Sequence, residues 1–202
     1  MSLSQDEQLV DQILQTAQEL YQRYGTKKVT MDDVAKAIGK TRTALYYYFK
    51  NRDELFEAVM LSLVQEVKAE LAHVMEQEKD LEARIFAFCI AKIKGSEKSK
   101  SFIAAIESGM DLEERSKYTS IMWGVHQKMM EAEHVLLKKV MEQAIDQKEI
   151  PAQDSAQLEV VILVLLSGIR GIRRETAIDV YAGQWKKAAA VLSSMIVKEL
   201  KG

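Results

Sequence analysis

Cysteine and proline are almost missing from this chain of 202 residues, which has one of each and three histidines. The single cysteine, Cys89, cannot form an internal disulfide, so the sequence suits a reducing compartment. With Pro151 as its only proline, nearly the whole backbone is free to be helical, and no stretch alternates apolar and polar residues as a half-buried strand would. The longest unbroken apolar run, Val160 to Leu166, is about a third of the roughly twenty residues needed to cross a bilayer. The opening residues, Met-Ser-Leu-Ser-Gln-Asp-Glu, are polar and acidic, unlike a secretion signal. The expectation is a soluble, cytoplasmic protein with no membrane association. A phosphate-cradling glycine loop, a cysteine cluster and a nucleophile elbow are all missing, so hydrolytic or redox chemistry has few groups to use. The chain is therefore expected not to be an enzyme and to hold neither cofactor nor metal. A net charge of -2 excludes a protein that coats nucleic acid over its whole surface, so any contact with DNA must be local.

What is present is a composition 48% hydrophobic and 29% charged, enough for a real core in one or two domains, with apolar residues returning every three or four positions. Val10, Ile13, Leu14, Ala17, Leu20, Tyr21 and Tyr24 trace one buried helix face, and Gly25 supplies a stop. Thr30 stands three residues before Asp33, the spacing of a helix cap. The helix it opens turns Val34, Ala35 and Ile38 inward and ends at Gly39. Thr41 caps the next helix, whose apolar edge is Leu45 and Phe49 and whose opposite face carries Thr43 and Tyr47, flanked by Ala44, Tyr46 and Tyr48. Three adjacent tyrosines cannot all be core. A tyrosine at DNA offers its ring to a thymine methyl or sugar and its hydroxyl to phosphate. From Lys36 to Arg52 lie five basic residues and no acidic one, which reads either as a phosphate-attracting patch or as a solvated face. Asn51 caps a fourth helix that begins Arg52-Asp53-Glu54-Leu55.

The pattern Thr-x-x-Asp-Val-Ala-x-Ala-Ile-Gly-x-Thr-x-x-x-Leu-Tyr-Tyr-Tyr-Phe-Lys-Asn-Arg-Asp-Glu-Leu, starting at Thr30, resembles the DNA-binding domain of the TetR family of bacterial transcription regulators, over roughly Leu9 to Val59. The resemblance implies an all-α homodimer with a three-helix helix-turn-helix domain, here residues 1–53, and a helical effector-binding and dimerisation domain, here 54–202. It implies a sequence-specific regulator of transcription, most often a repressor, released from double-stranded operator DNA by a small-molecule effector. By that resemblance Arg42, Thr43 and Tyr48 occupy base-reading positions, and Thr30, Tyr46, Tyr47, Lys50 and Arg52 occupy phosphate-contacting ones. Thr41 caps the recognition helix at the same surface. Lys40 departs from the family's usual apolar residue and either adds a phosphate contact or points to water.

Beyond this domain the residues match no motif. Phe56, Val59, Met60, Leu63, Val64, Val67, Leu71 and Val74 continue one long helix from the DNA domain, either a lever on the recognition helix or a helix that only packs. Further helices are expected at Leu81 to Lys94, Ser101 to Met110, Glu113 to Gln147, Asp154 to Ile178 and Gln184 to Leu200, with breaks at Gly95 and the Ser/Lys/Glu stretch after it and at Pro151. Leu158 to Ile172 is apolar on nearly every side. Such a helix is buried on all sides, either within one chain or against a second one. The second alternative gives a dimeric four-helix bundle through Val161, Leu165, Gly168, Ile172, Leu192, Met195 and Ile196.

For an effector, the informative residues are polar ones on an apolar stripe. Met122, Val125, Met129, Leu136, Val140 and Ala144 form such a stripe, and His126 and Glu133 fall within it. They are either satisfied in the core or turned toward a ligand, with Phe86, Cys89, Phe102, Ile106, Met110, Met122 and Trp123 as apolar walls. Cys89 has no basic neighbour in sequence and reads as a small buried residue before a redox sensor. An enzyme reading rests on Glu70-Leu-Ala-His73 and Glu131-Ala-Glu-His134, the spacing of di-iron carboxylate bundles, whose ligands must face inward. On a helical wheel His73, Glu131 and His134 point away from their apolar stripes. The remaining alternative is a small-molecule-binding helical dimer without regulated DNA binding.

Overall fold

The computed structural model describes residues 5–107, 110–177 and 181–202, with side chains at all of these except 96–101. Its elements are α1 (Gln5–Tyr24), a 3-10 turn (Thr26–Lys28), α2 (Met31–Ala37), α3 (Arg42–Tyr48), α4 (Arg52–Glu76), α5 (Leu81–Glu107), α6 (Leu112–Asp146), α7 (Ser155–Glu175) and α8 (Trp185–Lys201), with no strand among the described residues. The all-α expectation holds. Contacts divide the chain into two compact units, Met1–Glu66 with Lys98–Met129 and Val67–Glu97 with Met130–Gly202, and α4, α5 and α6 each give residues to both.

In the first unit α1 buries Ile13, Ala17 and Tyr21, as its periodicity requires. Tyr24 departs from the expected face and is exposed, because α1 ends there and the chain turns at Gly25, whose φ of 76° lies where glycine alone is unstrained. The Tyr21 ring meets Phe56 of α4 edge-on at 5.7 Å, and Phe56 meets Tyr118 of α6 at 5.9 Å, an aromatic row through the unit. Thr30 and Asp33 cap α2 reciprocally: the Asp33 N–H donates to Thr30 Oγ1 at 3.2 Å, and the Thr30 N–H donates to Asp33 Oδ2 at 2.9 Å. Val34, Ala35 and Ile38 turn inward as expected. Gly39, at φ 67°, makes the turn into α3, whose Thr41 cap accepts from the Ala44 N–H at 3.2 Å. The Thr26 hydroxyl donates to the Ile106 carbonyl at 3.2 Å in a buried bond, tying the 3-10 turn to the end of α5.

The second unit is held by one apolar cluster that includes Leu71, Met75, Phe88, Leu137, Met141, Ile162, Leu165 and Ile196. Glu149 closes one end, accepting from the Leu81 N–H at 2.6 Å and pairing with Arg84 at 3.1 Å. By length and composition α7 is apolar enough to cross a bilayer. Here Leu158, Val161, Ile162, Leu165, Leu166 and Ile169 are instead buried within the protein.

One expected boundary is overturned. The sequence suggested a break at Gly95 and the polar stretch after it, yet α5 is continuous from Leu81 to Glu107. Glycine inside a helix costs about 1 kcal/mol relative to alanine, which the hydrogen bonds and packing of a long helix outweigh. The break near Pro151 is present, with α6 ending at Asp146 and α7 starting after Asp154, which holds the N-cap position without a side-chain capping bond. The expected helix end at Ile178 lies outside the described residues.

Candidate nucleic-acid interface

The face of α3 opposite Leu45 and Phe49 is solvent-exposed, and the buried pair explains why. Leu45 and Phe49 lock the short helix to the core, leaving Arg42, Thr43, Tyr46 and Tyr47 outside, with Tyr47 82% exposed. A surface helix that exposes large aromatics in place of ordinary charge is built to touch something. The guanidinium of Arg42 donates to the Tyr46 hydroxyl at 3.1 Å and stacks 5.3 Å from the centre of that ring. Tyr47 and Tyr48 meet edge-on at 5.0 Å. Tyr48 is half-buried and its hydroxyl donates to Asp6 of α1 at 2.9 Å, raising the phenol pKa, chiefly through that bond. Lys40, Thr41 and Lys50 are exposed on the flanks, and the backbone N–H of Lys50 donates to Glu54 at 2.7 Å. Asn51 caps α4 as expected, accepting from the Glu54 N–H at 2.8 Å.

Two expected phosphate contacts already have partners. Thr30 is exposed, but its hydroxyl is engaged with Asp33, whose carboxyl is held below the usual range, first by the Thr30 hydroxyl and then by its N–H. Arg52 is half-buried, pairs with Glu114 of α6 at 3.4 Å, and donates to the Thr26 and Lys27 carbonyls at 3.5 Å each. Lys27 joins this clasp through Asp111 at 3.2 Å and Glu114 at 3.5 Å. The two acids also cap α6: the Glu114 N–H donates to Asp111 at 3.0 Å and the Asp111 N–H to Glu114 at 3.2 Å. Sequence reasoning missed the clasp, since nothing local links positions 27 and 52 to 111 and 114. A cavity of about 60 Å³ beside it, lined by Arg52, Phe56, Met110, Glu114 and Tyr118 among others, falls far below the roughly 300 Å³ at which small-molecule sites begin.

The residues expected at an effector site divide between the units. Phe102, Ile106, Met110, Met122, Trp123 and His126 lie in the first, and Phe86, Cys89 and Glu133 in the second. Ile106 is fully buried, Met110 lines the small cavity, and Phe102 and Met122 are half-buried. Trp123 is 65% exposed and His126 is exposed beside it, their rings 6.2 Å apart, so His126 is not on the inward stripe. The stripe drifts around a 35-residue helix, and the apolar face at one end is not the packed face at the other. Glu133 is inward, 3% exposed, and pairs with Lys92 of α5. Phe86 borders an open hollow of about 390 Å³ with Asp80, Glu82, Ala83, Ala190 and Ser193. Cys89 is buried with its sulfur 3.8 Å from Ser193 Oγ, and burial pushes its thiol up to about 11, an unreactive state. Glu70, His73 and Glu131 are exposed, and His134 pairs with Glu159 of α7, so the two Glu-x-x-His pairs do not face inward together.

Most of the expected dimer residues are turned inward within the chain. Val161, Leu165 and Ile196 belong to the chain's own core, Ile172 and Leu192 pack against that core, and Gly168 faces Leu192, whose Cδ2 would lie 2.8 Å from an added Cβ. Of the seven, only Met195 is an exposed apolar side chain, 62% exposed. The exposed apolar face instead comprises Val160, Leu163 and Val164 of α7 with Val191 and Met195 of α8.

Known proteins match the region just described. The family described as "Bacterial regulatory proteins, tetR family" matches residues 13–59. YhgD, an HTH-type transcriptional regulator of Bacillus subtilis, is 36% identical over 64 residues, 32% of this chain and 34% of its own. TtgR, an HTH-type transcriptional regulator of Pseudomonas putida, is 34% identical over 71 residues, 35% of this chain and 33% of its own. The match thus spans about a third of the length of these relatives. A TetR transcription regulator from Haloarcula marismortui has the same fold, with a TM-score of 0.62 over 97% of this chain and 100% of that one at 21% identity. The N-terminal segment, residues 13–59, thus carries the domain that defines the tetR family of bacterial regulatory proteins.

Proposed function

We propose that the chain is a cytoplasmic, homodimeric, sequence-specific DNA-binding regulator of transcription, acting as a repressor that a small-molecule effector releases from its operator. Residues 1–53 bind DNA, and 54–202 dimerise and receive the effector. The observation that carries this reading is the outward face of α3, where Arg42, Thr43, Tyr46 and Tyr47 stand exposed on a helix capped by Thr41 and anchored by Leu45 and Phe49. The family match over residues 13–59 supports it. Arg42 and Thr43 supply side chains able to read base edges, Tyr48 joins them as a third reader, and Tyr46, Tyr47, Lys40 and Lys50 supply phosphate contacts. In a dimer the two recognition helices enter successive major grooves of an inverted repeat, about 34 to 36 Å apart or somewhat more. Repression follows from occupancy of a promoter and needs no activating surface. The apolar faces of α7 and α8 form the dimer contact, centred on Val160, Leu163, Val164, Val191 and Met195. The effector site takes its polar anchor from Glu133, which is buried, and Lys92, which is half-buried and pairs with it in the second unit. Effector binding acts by differential affinity for the DNA-competent and DNA-incompetent dimers.

The test is selection of random duplex DNA on the purified protein at moderate salt. Enrichment of an inverted repeat is the expected result and gives the probe for an effector screen by DNA release. A folded dimer that enriches no repeat leaves the helical small-molecule binder without regulated DNA binding as the better description.

A further inference from the structure

We infer that Asp6, outside the helix-turn-helix, sets the hydrogen-bond polarity of Tyr48 and so determines which class of base that side chain accepts. The inference rests on the DNA-binding reading above. A phenol has one hydrogen to donate and lone pairs with which to accept. In Tyr48 the hydrogen is already given to the Asp6 carboxylate at 2.9 Å. An ionised carboxylate is acceptor-only, so the direction of that bond is fixed, and Tyr48 is left able only to accept. The raised pKa of the phenol agrees with a hydroxyl whose proton is held by a carboxylate. The Tyr48 ring also meets Tyr47 edge-on at 5.0 Å.

Tyr46, two residues earlier, is in the opposite state. Its hydroxyl accepts from Arg42 at 3.1 Å and keeps its own hydrogen to donate. The two phenols are therefore sorted. Tyr46 can donate to a phosphate oxygen, whereas Tyr48 cannot, and the Asp6 charge beside it repels phosphate. In the major groove the donors are the amino groups of adenine and cytosine, while guanine and thymine present acceptors at the corresponding edge. An acceptor-only Tyr48 pairs with adenine or cytosine and disfavours guanine and thymine. Asp6 is a positioning residue: it need not touch DNA, and it acts through the phenol it holds.

The test repeats the random-duplex selection on the full-length parent, Asp6→Ala, Asp6→Asn and Tyr48→Phe, after thermal melts establish that each is folded. The parent is expected to prefer adenine or cytosine by about tenfold in one column of each half-site, within the range of a specific base contact. Asp6→Ala frees the phenol hydrogen, and guanine and thymine gain at that column until the preference falls below about twofold. Tyr48→Phe levels the same column without any gain of guanine or thymine beyond it. Asp6→Asn can turn either its oxygen or its NH2 to the phenol, so the direction of the bond is no longer fixed and the parental preference weakens toward that of Asp6→Ala. If Asp6→Ala does not fold, the Asp6→Asn and Tyr48→Phe selections carry the test. A parental column that persists in Tyr48→Phe, or an Asp6→Ala protein whose columns all weaken together, overturns the inference and leaves Asp6 as a structural contact. A parent that enriches no inverted repeat sinks the DNA-binding reading itself, a different failure.

Discussion

Tyr21 and Tyr47 are the same amino acid with opposite tasks, and burial separates them. Tyr21 is fully buried, its hydroxyl finds no hydrogen-bond partner among the described residues, and burial raises its pKa, with the Arg52 charge opposing and Asp53 adding to the shift. An unsatisfied buried hydroxyl costs about 1 to 3 kcal/mol, so Tyr21→Phe, which keeps the ring contact with Phe56, is expected to leave stability unchanged or raise it by about 1 kcal/mol. Urea unfolding checks this, and a loss of more than about 1 kcal/mol would mean the hydroxyl has a partner, such as an ordered water. Tyr47 contributes nothing to the core. Tyr47→Ala is expected to melt like the parent, remain a dimer and bind its selected DNA about tenfold or more weakly, the loss of one well-used contact. Parental affinity in a fluorescence-anisotropy titration would show that the outward face of α3 has been misassigned.

Between α4, the 3-10 turn and α6, the Arg52–Lys27–Asp111–Glu114 clasp sets carboxylates against cations that a phosphate would otherwise attract. Such partly exposed pairs add little stability, so their effect is expected on binding. Glu114→Gln frees Arg52 and is expected to raise DNA affinity severalfold at low salt and to steepen the log-log salt dependence by about 0.9, the signature of one more neutralised phosphate. An unchanged slope would mean Arg52 never reaches DNA. The clasp is not a switch near neutral pH. Asp111 is held below the usual carboxylate range, first by the Glu114 N–H and then by Lys27, so its contribution is present above the unfolded value of about 3.9 and is lost only as pH falls through the lowered folded value. Lys27 is raised, first by its bond to Asp111, so its contribution is present below about 10.4 and is lost as pH rises through the raised folded value. At this scale the sequence was legible where signals are local. Thr30, Thr41 and Asn51 capped the predicted helices, and Leu45 with Phe49 chose the buried edge of α3. It was not legible where the outcome depends on packing partners far along the chain. Gly95 looked like a break because propensity is local, while the continuity of α5 is set by the whole helix; His126 looked inward because one stripe was extended along a helix that changes neighbours.

At the scale of the molecule, the same limit applies to α7, the helix that is apolar nearly all round. Its sequence requires two apolar neighbours without saying which side meets which. The fold assigns Val161, Leu165 and Ile169 to the chain's own core and leaves Val160, Leu163 and Val164 exposed, beside exposed Val191 and Met195 of α8. Five large aliphatic side chains exposed on adjoining helices are uncommon in water, and in the proposed dimer an isologous contact between two copies would bury them with no further partner. Leu163→Glu combined with Met195→Glu is expected to convert the proposed dimer to a species with the mass of one chain in sedimentation equilibrium while far-UV circular dichroism stays helical, because both side chains lie outside the core. Each half-site is then contacted independently. Affinity for the full inverted repeat should fall toward that for a single half-site, because the second binding event loses the effective concentration supplied by the first. A double variant that remains dimeric would place the contact elsewhere on the chain, and one that becomes monomeric yet binds the full repeat as tightly as the parent would detach DNA recognition from dimerisation.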